Sequence, residues 1–168
     1  LLKNLFAVGG VMLTNYFSTS KLINIKTLLI VITIFVFTNF SEALCIKTES
    51  ANIRLGPSTS YKKAWTVGKY MPLVKVGLSL DRNWYAVKDV DGDVNWVHRS
   101  LVSDQIKCGV VKAKKVNVRG GPSTKYSKLG FVEKYYSFKV IKIQGNWVKF
   151  QDQWGDSGWI HKSYLWIP

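Results

Sequence analysis

The residues here most able to do chemistry are two histidines, two cysteines and two copies of an Asn-x-Arg pair. His98 and His161 each have a serine two residues on (Ser100, Ser163) and an aspartate five residues before (Asp93, Asp156). A metal site needs three or four converging ligands. One histidine per half, with no cysteine or carboxylate cluster at ligand spacing, does not supply them. A Ser-His-Asp triad needs spatial convergence and an oxyanion hole. At these spacings the serines and aspartates read instead as turn residues that bond their own backbone, and the histidines as structural groups ending a strand. No nucleophile, base and orienting group assemble elsewhere. The chain reads as a non-enzyme with no cofactor and no metal.

Cys45 and Cys108 are the only cysteines. The choices are a disulfide, two free thiols or a redox pair. No Cys-x-x-Cys spacing supports redox chemistry, and in an exported chain a lone pair is read first as a structural bridge. Closing a loop of this length would contribute about 4 kcal/mol in the chain-entropy picture.

Aromatic residues offer a different chemistry. All seven tryptophans lie after residue 44, more than two small modules can bury together with their tyrosines. Trp84, Trp147, Trp96 and Trp159 recur at matching positions and are divided between core and groove wall. Trp65, Trp154 and Trp166 have no counterpart in the other copy and read as surface or inter-module residues. Exposed Trp and Tyr beside Lys and Arg make a surface suited to peptide or polymer. The candidate ligand contacts are therefore Trp65, Tyr85, Trp154, Tyr135, Tyr136 and Trp166.

What positions these residues is a duplicated module. Asn52-Ile53-Arg54-Leu55-Gly56-Pro57-Ser58-Thr59-Ser60-Tyr61 returns as Asn117-Val118-Arg119-Gly120-Gly121-Pro122-Ser123-Thr124-Lys125-Tyr126. Gly92-Asp93-Val94-Asn95-Trp96-Val97-His98 returns as Gly155-Asp156-Ser157-Gly158-Trp159-Ile160-His161. The first pair is offset by 65 residues and the second by 63, so one copy is two residues shorter between the motifs; Cys45 and Cys108 are also 63 apart, which puts one at the head of each copy, in matching places. Strand-forming residues dominate both copies, and no stretch after residue 44 sustains an apolar period near 3.6. The reading is all-β. Five strands are expected per copy: 50–55, 61–67, 72–78, 84–87 and 96–97 in the first, and 115–119, 126–132, 137–143, 147–150 and 159–160 in the second. Hairpin turns fall at Asp91-Gly92 and Trp154-Gly155. Such short strands with tight turns describe a small barrel. The join, residues 103–107, has no Pro or Gly, so the two copies should pack together.

Charge bears on partners rather than fold. Residues 44–168 hold 21 basic residues against 9 acidic ones, a net of +12. Residues 44–107, the first copy with its join, contribute +4 and the second copy +8. Anionic surroundings, such as a charged envelope polymer, would suit this balance.

The first residue is Leu, which reads as a non-standard start or an over-extended frame, with Met12 as the alternative start. Lys21 and Lys26 precede an uncharged run, residues 27–37, too short to span a bilayer comfortably. Ser41-Glu42-Ala43 then offers small residues at the −3 and −1 positions of a cleavage site. Residues 1–43 are expected to be a signal peptide and Leu44 the mature N-terminus. The protein would then be periplasmic or secreted, or inner-membrane anchored if the segment stays uncleaved. That segment would be its only membrane contact.

The pattern Asn-x-Arg-x-Gly-Pro-Ser-x-x-Tyr, then Gly-Asn-Trp-Val-Lys-Phe (residues 145–150), then Gly-Trp-Ile-His (residues 158–161) resembles the bacterial Src-homology-3-like (SH3b) domain. It recurs in both copies, 44–104 and 108–168. A signal segment followed by two such domains resembles exported tandem SH3-domain proteins of proteobacteria. Gly120 in place of Leu55, and Asn95 in place of Gly158, depart from the pattern. The resemblance implies two tandem SH3-like barrels of five to seven strands, used chiefly for targeting. It implies that Asn52, Arg54, Gly56, Pro57, Trp96, Asn117, Arg119, Gly121, Pro122 and Trp159 serve the fold. It further implies a cell-wall polymer or its peptides as partner. An adaptor for an envelope protein or peptide is the alternative. A basic aromatic barrel also fits nucleic acid, but export does not, and no nucleic-acid partner is expected.

Overall fold

The computed structural model describes residues 42–168. Apart from its last two residues, the segment read as a signal lies outside them. Glu42 and Ala43 open the first strand, where Glu42 pairs with Lys75 at 2.6 Å.

The first copy contains β1 (Glu42–Ile46), β2 (Ser50–Arg54), β3 (Lys63–Gly68), β4 (Pro72–Leu78), β5 (Trp84–Lys88), β6 (Val94–His98) and β7 (Val102–Ser103). The second contains β8 (Cys108–Val111), β9 (Lys115–Arg119), β10 (Lys128–Glu133), β11 (Ser137–Gln144), β12 (Trp147–Gln151), β13 (Ser157–His161) and β14 (Leu165–Trp166). Each copy is one antiparallel seven-stranded sheet. The orders, β3-β2-β6-β5-β4-β1-β7 and β10-β9-β13-β12-β11-β8-β14, are the same. One pair in each sheet, Arg54 with Trp96 and Arg119 with Trp159, ties the third hairpin to the signature strand.

Two strands per copy exceed the five expected. β7 and β14 are only two residues long. β1 and β8 are buried on both faces toward their ends, so they show continuous rather than alternating burial and lack the period-2 signal. β2 and β9 do alternate, which sends Ile53 and Val118 inward. The two cores are built from matching positions: Ile46, Ala51, Ile53, Leu73 and Val97 in one, and Val111, Val116, Val118, Phe138 and Ile160 in the other.

Strand register also locates the two-residue difference. In the first copy Ser79 bonds back to Trp84, enclosing the turn 80–83. In the second, Gln144 pairs directly with Trp147 around Gly145, whose φ of 55° is the left-handed conformation glycine tolerates. Everything before this turn is therefore offset by 65. Cys45 faces Pro72, whereas Ser137, the equivalent of Pro72, faces Val110. Cys45 thus corresponds to Val110, and Cys108 to Ala43. The cysteines do not occupy matching places in the two copies, as their spacing suggested. They are nevertheless disulfide-bonded, with Cα atoms 6.0 Å apart.

The bridge is one of several links between the copies. Val110 belongs to the first core, and Trp166 packs against it. Ser137 Oγ donates to the Lys69 carbonyl at 2.8 Å. The expected packing of the two barrels is present.

Candidate ligand-binding grooves

The hairpin between β5 and β6 is shaped by an aspartate that sequence reasoning did not select. Asp89 is only 7% exposed, and its Oδ1 accepts the backbone N–H groups of Asp91 and Asp93, both at 3.0 Å. Asp152 does the same for Trp154 and Asp156, and its Oδ2 also accepts the Tyr136 hydroxyl at 2.6 Å. The signal was present as a repeated Asp-x-x-Gly. Gly92 and Gly155 carry the positive φ that closes each turn. Burial first, and the bond to Asp152 second, push the Tyr136 hydroxyl above its ordinary pKa.

Between this hairpin and β3 runs a groove of about 700 Å³, lined by Lys62, Lys63, Trp65, Asp91, Asp93 and, from the second barrel, Tyr135 among others. Tyr135 reaches it from a turn residue with φ of 71°, a conformation uncommon for a bulky side chain. Its ring meets Trp65 edge-on at 6.3 Å. Its hydroxyl donates to Asp91 at 2.6 Å, and Lys134 Nζ donates to the other carboxylate oxygen at 2.9 Å. The bond from Tyr135, then that from Lys134, holds the Asp91 carboxyl below its usual range. Contacts to Tyr135 and Asp91 push the Lys134 ammonium up. The groove therefore offers two aromatic walls, lysines on one rim and a carboxylate hairpin on the other. Such a surface suits a peptide carrying both charges.

Of the six candidate contacts, only Trp65 and Tyr135 come together. Tyr85 is half-buried against the first core, with Lys75 Nζ 4.6 Å from its ring centre. Tyr136 turns inward to Asp152 and Phe150. Trp166 is committed to the first core. Trp154 stands at its hairpin tip, 74% exposed.

The motif residues hold a loop. A Cβ added at Gly56 or Gly121 would collide with the ring of Tyr61 or Tyr126, so each glycine is the seat of the tyrosine five residues on. Arg54 Nη1 donates to the Tyr61 carbonyl at 2.7 Å, and Arg119 Nη1 to the carbonyls of Thr124 and Tyr126 at 2.9 Å. The arginines thus strap the loop. Asn52 accepts from Thr66 on the neighbouring strand at 3.0 Å.

The histidines end β6 and β13 as expected. Each accepts at Nδ1 from the backbone of the serine two residues on and packs edge-on against a tryptophan, Trp84 at 5.2 Å or Trp147 at 5.3 Å. Among the described residues no group of three or more His, Cys, Asp or Glu side chains is placed to hold a metal ion.

A family model described as "Bacterial SH3 domain" matches the chain twice, over residues 47–104 and 112–166. No curated protein matches it. Among solved structures it is similar to NlpC1 from Trichomonas vaginalis, at 11% identity over 74% of this chain and 45% of that one, with a TM-score of 0.33. NlpC2 from the same organism matches at 10% identity over 76% and 48%, with a TM-score of 0.33. The endolysin LysPBC5 CBD matches at 15% identity over 76% and 93%, with a TM-score of 0.32. The chain spans about half the length of the two Trichomonas proteins.

Proposed function

Because the chain belongs to the bacterial SH3 domain family, we propose that it is a non-catalytic protein that binds a cell-envelope component, namely peptidoglycan or its peptides. The observation that carries this reading is the junction groove. It is walled by Trp65 and Tyr135 and edged by Lys62, Lys63 and Asp93, within a chain of net charge +14. Aromatic walls bind the apolar parts of a ligand by burial, and charges of both signs on the rims select its orientation. The groove needs both barrels, which gives the tandem arrangement a purpose that one barrel could not serve. Work outside the cytoplasm belongs to the same proposal. The disulfide supports it, since such bonds persist in oxidising compartments.

A second reading, an adaptor for an envelope protein, is favoured by strand β10. It lies at the edge of its sheet and presents Leu129 and Phe131 to solvent, 60% and 50% exposed. An unpaired edge with exposed apolar side chains can accept a strand from a partner. A pulldown of the mature protein with purified peptidoglycan sacculi, set against whole periplasmic extract, separates the two. Retention on sacculi is expected. Capture of an extract protein with no sacculus binding would favour the adaptor.

A further inference from the structure

We propose that each barrel carries a carboxylate-binding site, made from the residues that strap its signature loop and the aromatic pair beside them. In the first barrel a groove of about 420 Å³ is lined by Asn52, Arg54, Thr59, Trp84 and His98, with other residues. In the second, a groove of about 390 Å³ is lined by Asn117, Arg119, Thr124, Trp147 and His161 in the same way. The five positions correspond one to one under the duplication, so the site has been kept in both copies as a unit.

The charged residues lining these grooves are cationic, and no aspartate or glutamate lines either. The junction groove, by contrast, contains three aspartates. Each arginine spends only Nη1 on loop carbonyls; among the described residues its Nε and Nη2 have no partner. That leaves an edge of the guanidinium fork open, in the geometry that takes a carboxylate through two parallel bonds. The histidines add a second donor. Nδ1 faces the serine two residues on, 2.7 Å (Ser100) or 2.8 Å (Ser163) from its hydroxyl and 3.4 Å from its backbone nitrogen, whose N–H can only donate, so Nδ1 serves there as an acceptor. The proton of the neutral ring is then on Nε2. The edge-on tryptophan fixes the ring, and the asparagine amide and threonine hydroxyl complete the set.

One fixed positive charge per groove in the first barrel matches a singly charged group. The second barrel adds Lys115, whose ammonium sits 3.5 Å from the Phe131 ring centre, and Tyr164. The corresponding residues in the first are Ser50 and Leu101. The second site should therefore be the tighter of the two.

The chain has two histidines, one in each site, so each site carries its own reporter. The full chain, isotopically labelled in its imidazole and indole nitrogens, is titrated with N-acetyl-dialanine, its C-terminal amide, and inorganic phosphate. Saturable shifts of both histidine signals with the acid are expected, His161 at the lower concentration, with little response to the amide. Asn117 is exposed on β9, and its side chain has no hydrogen-bond partner among the described residues. Asn117→Ala should then leave the fold intact and weaken the His161 response about fivefold, the worth of one hydrogen bond, while sparing His98. Equal shifts with acid and amide, no shifts at all, or phosphate acting as strongly as the carboxylate would each overturn the assignment. Neither histidine lines the junction groove. Failure here therefore leaves envelope binding through Trp65 and Tyr135 standing, and failure of sacculus binding leaves this site standing.

Discussion

Tyr135 donates its hydroxyl to Asp91 across 2.6 Å, and the two residues belong to different copies of one duplicated module. Under the duplication Tyr135 corresponds to Tyr70, whose φ of 67° matches its own 71°. Asp91 corresponds to Trp154. The turn that presents the tyrosine is common to both copies, but the carboxylate that receives it exists only in the first. Divergence at one hairpin position thus converted a repeated turn into a lock between barrels.

That lock has a pH signature. The folded state holds the Asp91 carboxyl below the ordinary aspartate value of 3.8. Its contribution to stability is therefore complete above that value and is lost as pH falls through the lower folded value. Asp91→Asn should lower the melting temperature at pH 7. The gap from the parent should close progressively on acidification below about pH 4. Melting curves followed by circular dichroism from pH 7 to pH 2 test this, and a gap that does not change with pH would refute it.

The Cys45–Cys108 bridge, spanning 63 residues, should be quantitatively formed. Intact-mass measurement after alkylation without reductant should find no labelled thiol. Cys108→Ala should lower the melting temperature by about 10 °C, on the basis of about 4 kcal/mol of loop-closure entropy. The barrels should stay docked through Val110 and Trp166, so scattering should show an unchanged shape. A variant as stable as the parent would show that these contacts alone constrain the pair.

The signature loop gives a paired test. Gly120 and Gly121 are neighbours, but a Cβ at Gly121 would strike the Tyr126 ring, while one at Gly120 meets nothing closer than Ser127 Oγ at 3.4 Å. Gly121→Ala should cost about 1–3 kcal/mol through overpacking. Gly120→Ala should change stability by no more than about 0.5 kcal/mol. Urea unfolding of the two variants decides it, and equal costs would mean that the tyrosine simply moves aside.

Much of this fold was legible because it is written twice. Matching motifs gave the module, and alternation gave β2, β4, β9 and β11 within a residue of their observed ends. β1 and β8 escaped because strands buried on both faces do not alternate. The cysteines misled because the 65-residue and 63-residue offsets meet at the turn 80–83, and only strand register tells which offset applies to residue 108. The site was harder to read. Tryptophans without a counterpart pointed correctly to the junction for Trp65 and Trp166, but type and spacing could not distinguish the one that walls a groove from the one that plugs a core. Asp89 and Asp152 were passed over because a buried carboxylate bonded to its own turn looks, in sequence, like any polar loop residue.

Charge and aromatic contact should respond differently to salt in envelope binding. The second copy carries +8 and the first, with its join, +4, so attraction to an anionic polymer should fall mainly on the second. Contacts between exposed charges are screened over about 8 Å at physiological salt and less at 0.5 M, so binding by charge alone should disappear in 0.5 M NaCl. Burial of aromatic surface does not depend on charge and should survive. Sacculus binding is therefore expected to weaken with salt but persist. Trp154 is exposed at its hairpin tip and touches no core. Trp154→Ala should reduce the salt-resistant fraction without lowering the melting temperature. Trp65→Leu, which keeps an apolar contact with the first core while removing the groove wall, should reduce it further. If nothing binds at high salt, or Trp65→Leu binds as the parent does, the junction groove is not the binding surface. Loss of all binding at high salt would leave charge alone as the attraction, and undiminished binding by Trp65→Leu would make the exposed edge of β10 the better place to look for a partner.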